Sequence, residues 1–147
     1  EIEESFPDII KYVDAHYRTD KKRASRAVAG LSMGGGQSFY IGLHSTDVFA
    51  NIASFSAGIF GGINGSNNFD FEKEAPGMIS NTAAFNASLD NFFLSCGEQD
   101  PRINYTRNAY ETMKAAGVDV KFDSFPGDHE WQVWRKSFAE FAQMLFK

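Results

Sequence analysis

Residues 27–39 read AVAGLSMGGGQSF and place one serine, Ser32, between a short apolar stretch and three consecutive glycines. Each glycine in a helix interior costs about 1 kcal/mol relative to alanine, so helix stability does not explain the glycine run. Gly30, Ser32 and Gly34 fit the pattern G-x-S-x-G, in which the serine occupies a sharp turn from a strand into a helix. The residues two before and two after that serine approach closely and need to be small. The stretch therefore predicts a nucleophile elbow with Ser32 at its tip.

Apolar residues recur along the rest of the chain at helical and strand spacings. Helices are predicted over residues 2–17, 36–44, 80–87, 104–117 and 131–145, and strands over residues 23–30, 51–58, 91–97 and 118–127. This alternation is typical of an α/β fold in which helices cover both faces of a parallel sheet. Residues 59–88, rich in Gly, Asn and Ser, are predicted to be mostly irregular, and long loops in compact domains are commonly functional.

The first and last helices are both predicted to bury one apolar face. In the first helix that face consists of Ile2, Phe6, Ile9, Ile10, Val13 and Tyr17. In the last helix it consists of Trp131, Trp134, Phe138, Phe141 and Leu145.

Composition limits the classes of partner. The chain has 147 residues, of which 43% are hydrophobic and 15% aromatic, as expected for one globular domain or a piece of one. Its net charge is −5 and it has no basic stripe, so neither nucleic acid nor an anionic membrane is an expected partner. The sole cysteine, Cys96, lacks the spacing of a zinc site, and no metal or cofactor is expected.

A serine hydroxyl needs a nearby base to act as a nucleophile, and the chain offers three histidines. His16 lies at the end of the first predicted helix, where we expect a surface position. His44 ends the helix after the elbow, where a histidine interacts favourably with the helix dipole. His129 follows the last predicted strand, on the sheet edge that carries Ser32. We therefore expect His129 to be the base.

The base needs a carboxylate to orient it, and that residue precedes the histidine in this motif order. Asp100 and Glu98 both follow the third predicted strand, and we prefer Asp100, with Glu98 in reserve. Asp128 and Glu130 flank His129 and cannot easily reach back to its ring. They are expected to be charges at the N-terminus of the last helix.

Three blocks, GLSMGGGQS at 30–38, CGEQDPR at 96–102 and GDHEWQVWRKSFAEF at 127–141, resemble a known family. They are similar to the nucleophile, acid and histidine blocks of the feruloyl and acetylxylan esterases of carbohydrate esterase family 1, among the esterase D-like α/β-hydrolases. The resemblance covers essentially the whole chain. It implies an α/β-hydrolase fold, with Ser32 as nucleophile, His129 as general base and Asp100 as its orienter.

The resemblance also implies ester-linked groups of plant cell-wall polysaccharide as substrates, and a secreted or cell-surface location. Related members hydrolyse S-formylglutathione or siderophore esters, so an esterase for small acyl substrates is an alternative. A structural or binding remnant that kept the elbow is another. The N–H of Met33 is the expected oxyanion donor, and Trp131 and loop 59–88 are candidates for the acyl pocket. For Trp131, simple packing of the last helix is equally compatible with the sequence.

The chain departs from the family at its N-terminal side. Members usually carry several strands and the second oxyanion donor before the elbow, whereas only 31 residues precede Ser32 here. We expect residues 1–147 to be a partial domain whose missing half is supplied in cis or by another chain. Such a partial domain would have an exposed sheet edge, which favours oligomers.

Overall fold

The computed structural model describes residues 2–61 and 69–147. In chain order the elements are α1 Ile2–His16, β1 Ala27–Leu31, α2 Met33–His44, β2 Asn51–Phe55, α3 Phe71–Glu74, α4 Thr82–Ala87, β3 Asn91–Gly97, α5 Ile103–Ala115, β4 Lys121–Phe125 and α6 Trp131–Ala142. The strands form one parallel sheet in the order β1-β2-β3-β4. The predicted α/β architecture is therefore confirmed, and all four strands end at the same edge of the sheet.

Helices cover the two faces of this sheet unequally. One face carries the larger apolar core, in which Ile52 and Leu94 of the strands meet α2, α4 and α5. On the other face Phe55 and Phe93 meet Phe141 of α6, and the Phe93 and Phe141 rings are stacked at 6.1 Å with an interplanar angle of 7°. Successive strand residues point to opposite faces, which is why the two cores alternate along β2 and β3.

Three strands are shorter than predicted. β1 begins at Ala27 rather than at residue 23, because Arg23–Ser25 form a short 3-10 helix. β2 ends at Phe55 rather than at residue 58 because Ser56 has a φ of 50° and a short 3-10 helix, Gly58–Phe60, follows. β4 begins at Lys121 rather than at residue 118, because the N–H of Val118 still caps the end of α5 by donating to the Met113 carbonyl. Gly117 closes α5 with a φ of 89°, in the left-handed conformation that commonly ends a helix.

Smaller differences concern element ends. α2 begins directly at Met33, so the glycines lie in its first turn, and α5 ends at Ala115 rather than at residue 117. β1 extends to Leu31, one residue beyond the predicted end. The irregular segment 59–88 contains α4, as predicted, and also the short helix α3. Residues 62–68 of that segment lie outside the described residues.

The predicted buried face of α6 is wrong in part. Its most buried residues are Val133, Ser137 and Phe141, whereas Trp131 is 64% exposed and Phe138 is 57% exposed. The physical reason is that the outer part of the apolar stripe does not meet the sheet. It borders a groove of about 320 Å³ beside β1. The apolar periodicity predicted the helix but not what lies against each part of it.

The first helix differs from its prediction in the same way. Phe6 and Ile10 pack against the larger core, but Ile2, Ile9 and Tyr17 are half or more exposed. Only part of the predicted stripe of α1 is therefore packed against the described residues.

The outer edge of β1 is accessible. Among the described residues, β1 pairs only with β2. Ala29 of β1 is exposed, whereas all five residues of β2 are buried. An apolar edge strand with unpaired backbone groups is a template for pairing with another strand.

Candidate active site

Ser32 lies in a strained turn between β1 and α2. Its φ and ψ are 55° and −121°, and its N–H donates to the Phe55 carbonyl at 2.8 Å. A Cβ on Gly30 would lie 2.0 Å from the carbonyl oxygen of Gly34, so only glycine fits at position 30. The turn therefore holds the Ser32 side chain at the sheet edge, as the G-x-S-x-G pattern requires.

The predicted need for a small side chain at position 34 is wrong. A Cβ on Gly34 would meet nothing within 4 Å, because it is the Gly34 backbone, not its side, that approaches Gly30. A Cβ on Gly35 would instead lie 3.0 Å from the Phe55 carbonyl oxygen. The glycine run thus lets α2 begin close against β2.

Three of the predicted site residues are joined by hydrogen bonds. His129 Nε2 lies 2.8 Å from Ser32 Oγ, and His129 Nδ1 lies 2.7 Å from Asp100 Oδ2. With a neutral imidazole, Nδ1–H donates to the carboxylate and Nε2 accepts from the hydroxyl. The three side chains come from loops after β1, β3 and β4, which meet because the strands are parallel. The arrangement provides a continuous path for moving the serine proton.

Asp100 is buried and held in place by Arg102. Its Oδ1 accepts from the Arg102 backbone N–H at 3.0 Å and from the Arg102 guanidinium at 2.9 Å, which leaves Oδ2 for His129. Burial by itself raises the pKa of the Asp100 carboxyl. The Arg102 N–H, the His129 imidazole and the Arg102 guanidinium outweigh burial, so the pKa lies below its usual value. Asp100 is therefore an anion at neutral pH.

Glu98, the reserve carboxylate, and the two acidic residues that flank His129 make other contacts. Glu98 is exposed, and its backbone N–H donates to the Phe125 carbonyl at 2.9 Å. Asp128 Oδ1 accepts from the backbone N–H of His129 at 2.8 Å, and Glu130 Oε1 accepts from the N–H of Asp128 at 3.2 Å. Glu130 is the N-cap residue of α6, in line with its predicted place at a helix N-terminus.

The other two histidines are each hydrogen-bonded to their own helix. His16 Nδ1 lies 2.7 Å from the Tyr12 carbonyl oxygen, and His44 Nδ1 lies 2.9 Å from the Tyr40 carbonyl oxygen. Both side chains are exposed. Their predicted surface and helix-end positions are confirmed.

Sequence reasoning missed the contacts between the loop after β3, which carries Asp100, and the loop after β4, which carries His129. Gln99 N–H donates to the Gly127 carbonyl at 3.0 Å, and Gly127 N–H donates to Gln99 Oε1 at 2.6 Å. A Cβ on Gly97 would lie 2.5 Å from the Gly127 carbonyl oxygen. The glycine at the end of β3 is the one sequence signal for this approach, because it marks where a second backbone comes close.

Met33 is the first residue of α2 and is 76% exposed. The first four N–H groups of an α-helix have no partner within the helix, and they make its N-terminus favourable for negative charge. The Met33 N–H is thus available as a donor directly after Ser32.

A cleft of about 690 Å³ opens beside Ser32. Its walls come from α2, from the described part of segment 59–88 and, at Glu3, from α1, and they include Met33, Gln37, Tyr40, Ile59, Phe69 and Lys73. Trp131 does not line this cleft. It borders the groove beside β1 and packs edge-on against Trp134, with ring centroids 5.3 Å apart.

Within residues 2–61 and 69–147, no group of three or more His, Cys, Asp or Glu side chains is arranged to hold a metal ion. No helix in those residues is both long and apolar enough to cross a bilayer. Cys96 is buried beneath the site, and burial followed by the nearby Asp100 charge raises the pKa of its thiol to about 12.

Comparison with known proteins extends over nearly the whole chain. A family model described as "Putative esterase" matches residues 7–145. An acetyl esterase from Caldicellulosiruptor saccharolyticus is 22% identical over 165 residues, covering 95% of this chain and 61% of that protein. An endo-1,4-beta-xylanase/feruloyl esterase from Xylanibacter ruminicola is 27% identical over 141 residues, covering 95% of this chain and 17% of that protein. The chain thus spans less than two thirds of the length of these curated relatives.

Solved structures share the fold. A CE1 ferulic acid esterase from Anaeromyces mucronatus superposes with a TM-score of 0.76 at 25% identity, over 98% of this chain and 52% of that one. An S-formylglutathione hydrolase from Staphylococcus aureus superposes with a TM-score of 0.71 at 25% identity, over 94% of this chain and 61% of that one. Residues 1–147 correspond to the C-terminal portion of such α/β-hydrolase structures. Because the family model spans almost the entire chain, this protein belongs to the Esterase family.

Proposed function

We propose that the chain carries the catalytic residues of a serine carboxylesterase. The observation that carries the proposal is the hydrogen-bonded line from Ser32 Oγ through the His129 imidazole to Asp100, with distances of 2.8 and 2.7 Å. Ser32 is the nucleophile, His129 the general base and Asp100 the residue that orients the imidazole. The strained φ of Ser32 supports the same assignment, since strain of this kind gathers at functional turns.

The reaction proceeds in two acyl-transfer steps. His129 Nε2 takes the hydroxyl proton as Ser32 Oγ attacks the ester carbonyl carbon, and the Met33 N–H donates to the oxygen that becomes negative. His129 then gives the proton to the departing alcohol, which leaves an acyl group on Ser32. Water attacks this acyl group while His129 accepts its proton, and the carboxylic acid product leaves as Ser32 regains its hydrogen.

The proposed substrates are feruloyl or acetyl esters of plant cell-wall polysaccharide. Two features support them. The cleft beside Ser32 has an apolar side formed by Ile59 and Phe69, which suits an aromatic or small acyl group. Three of the four similar proteins described above are an acetyl esterase and two feruloyl esterases.

A second candidate is hydrolysis of small acyl thioesters such as S-formylglutathione. The likeness to the Staphylococcus aureus S-formylglutathione hydrolase supports it. Three acidic residues, Glu3, Asp70 and Glu74, line the same cleft, together with Lys73. We favour the neutral polysaccharide esters because glutathione conjugates bear carboxylates, which this acidic lining repels.

We further propose that a segment outside residues 1–147, in cis or from another chain, completes the site. The accessible edge of β1, with its exposed Ala29, supports pairing with a further strand. The groove beside β1, lined by Leu31, Phe55 and aromatic residues of α6, supports the packing of an apolar element there. The same segment would supply the second oxyanion donor. A second copy of this chain on the same edge is the alternative occupant.

The test begins with a fluorophosphonate probe, which reacts with activated serines. Mass spectrometry of the labelled protein is expected to find the phosphonyl group on Ser32, and the Ser32→Ala variant is expected to remain unlabelled. Labelling elsewhere, or equal labelling of both proteins, would contradict the nucleophile assignment. Hydrolysis rates for methyl ferulate, acetylated xylan and S-formylglutathione then rank the substrate classes.

A further inference from the structure

Trp134 packs against the His129 ring from the first turn of α6. The two ring centroids are 5.0 Å apart and the ring planes meet at 89°. His129 itself lies on the loop between β4 and α6, and its nitrogens bind Asp100 and Ser32. Those hydrogen bonds act within the plane of the imidazole. A neighbouring ring in contact with the imidazole limits how far it can move away from this position.

Ser56 holds the indole in turn. The Trp134 Nε1–H donates to Ser56 Oγ at 3.1 Å. Ser56 follows β2 directly, is 0% exposed, and has a φ of 50°, a conformation that glycine adopts freely and serine does not. Its own N–H donates to the Ser95 carbonyl at 2.8 Å. A serine at this position is more strained than a glycine would be. Unlike glycine, however, serine supplies the hydroxyl that binds Trp134.

The docking of α6 on the sheet depends mainly on three more deeply buried residues. Val133, Ser137 and Phe141 are at most 1% exposed and form the face of α6 that meets the strands. Ser137 Oγ also bonds to Ser95 Oγ at 2.7 Å. Trp134 lies beside this face, is half-buried and packs against the core formed by Phe55, Phe93 and Phe141. The indole therefore connects that core to His129.

We propose that Trp134 is a positioning residue for His129 and that Ser56 sets the orientation of its indole. His129 Nε2 must face Ser32 Oγ when His129 accepts the serine proton. It must face the leaving-group oxygen when His129 donates that proton. A ring that tips between these steps spends less time in the productive geometry, and small misplacements lower the rate strongly. The expected effect on the reaction rate rests on the function proposed above. The effect of Trp134 on the position of the His129 ring does not depend on that function.

The first test measures steady-state kinetics of three variants in the complete protein, with an aryl ester as substrate. Trp134→Leu removes the aromatic contact, Trp134→Phe keeps a ring without the N–H, and Ser56→Gly removes the hydroxyl while relieving the φ. We expect kcat to fall by about tenfold for Trp134→Leu and by about threefold for the other two, with KM changing by less than about twofold. The matched control is Tyr110→Leu, a half-buried aromatic on α5 that packs against Phe122 at 5.4 Å, and its kcat is expected to stay at the parent value.

The second test observes the ring without turnover. The proton on His129 Nδ1 is hydrogen-bonded to Asp100, so its NMR resonance lies far downfield and broadens when that bond opens. We expect broadening in Trp134→Leu and Ser56→Gly, and the parent line width in Tyr110→Leu. An unchanged kcat and line width in a folded Trp134→Leu or Ser56→Gly protein would overturn the proposal. So would an equal loss in Tyr110→Leu.

Failure of the proposed function has a different signature. If the fluorophosphonate probe leaves Ser32 of the parent protein unlabelled, the esterase assignment fails. The Nδ1 resonance still decides whether Trp134 positions His129. If Trp134→Leu does not fold, Trp134→Phe and Ser56→Gly decide the question alone, because each is a smaller change to the packing of α6.

Discussion

Arg102 binds Asp100 twice, donating to the same carboxylate oxygen from its backbone N–H at 3.0 Å and from its guanidinium at 2.9 Å. Both groups are largely buried, with side-chain exposures of 14% and 0%. A charge-assisted pair in this setting fixes the carboxylate in one orientation and directs its other oxygen at His129. Arg102 thus acts on the site through Asp100.

Removing this guanidinium is expected to change stability in a pH-dependent way. The pKa of the Asp100 carboxyl in the folded chain lies below its unfolded value of about 3.9, so ionised Asp100 stabilises the fold above that pH. The contribution is lost as the pH falls through the folded pKa. Arg102→Met should therefore lower the free energy of unfolding by about 2 kcal/mol at pH 7. The difference in stability between parent and variant should become smaller below about pH 4.

Urea unfolding of parent and variant between pH 2.5 and 8, in steps of about half a unit, measures this difference. The control is Arg107→Met, which removes an exposed arginine of α5. A difference between parent and Arg102→Met that stays constant over the whole range would show that the guanidinium does not act through the ionisation of Asp100.

Replacing the nucleophile or the base should abolish most turnover. Ser32→Ala and His129→Ala are each expected to lower kcat by about 10⁴-fold or more, since members of such a triad act as a unit. Neither side chain is buried in the core, so far-UV circular dichroism and the thermal midpoint should remain close to those of the parent. Turnover by either variant at a few per cent of the parent rate contradicts the assignment.

Substitutions of the two carboxylates after β3 should have very different effects on kcat. Asp100→Asn removes the charge that holds the imidazole in its Nδ1–H tautomer, and we expect kcat to fall by about 10³- to 10⁴-fold. Glu98→Gln changes an exposed side chain and should alter kcat by less than about twofold. Parallel assays of both variants on the same ester decide the matter, and the opposite ranking would move the orienting role to Glu98.

Completion of the sheet is expected to restore activity to residues 1–147. With Met33 as its single oxyanion donor, the chain by itself should work about 10²- to 10³-fold more slowly than a complete site. Supplying the proposed upstream strands, fused or as a separate polypeptide, should recover that factor. Size-exclusion chromatography with activity assays on each fraction provides the measurement. Full activity in a monomer of residues 1–147 would place the second donor within this chain.

Glu72 offers a test of the segment that walls the cleft. Its carboxylate accepts from the backbone N–H groups of Ser80, Gly77 and Ile79, which lower its pKa to about 2. Hydrogen–deuterium exchange at those three amides should therefore be slow from neutral pH down to about pH 3, and Glu72→Gln should accelerate it. The neighbouring substitution Glu74→Gln should leave exchange at the same amides unchanged.

Sequence patterns predicted those features of the fold and the site that are determined by residues close together in the chain. Ser32 follows from a five-residue motif, and His129 follows from its position after a strand that ends at the same edge. Asp100 required a choice, because Glu98 occupies the same loop and only the folded geometry shows which carboxylate reaches the imidazole.

Contacts between distant parts of the chain could not be predicted in this way. Ser56 and Trp134 are 78 residues apart, and no sequence pattern links the end of a strand to the indole of a later helix. The apolar stripe of α6 is another example. Periodicity marks Trp131 and Phe138 as one face with Phe141, but it does not reveal that only the inner part of that face meets the sheet.

The proton path and one wall of the cleft come from different parts of the chain. Ser32, Asp100 and His129 follow β1, β3 and β4, whereas Ile59, Phe69 and Lys73 belong to the segment between β2 and β3. Substitutions in that segment can therefore reshape what enters the cleft without moving the groups that break the ester bond. A library randomised at these three positions would explore new acyl and alcohol preferences on an unaltered reaction centre, which makes the segment the natural place to engineer selectivity.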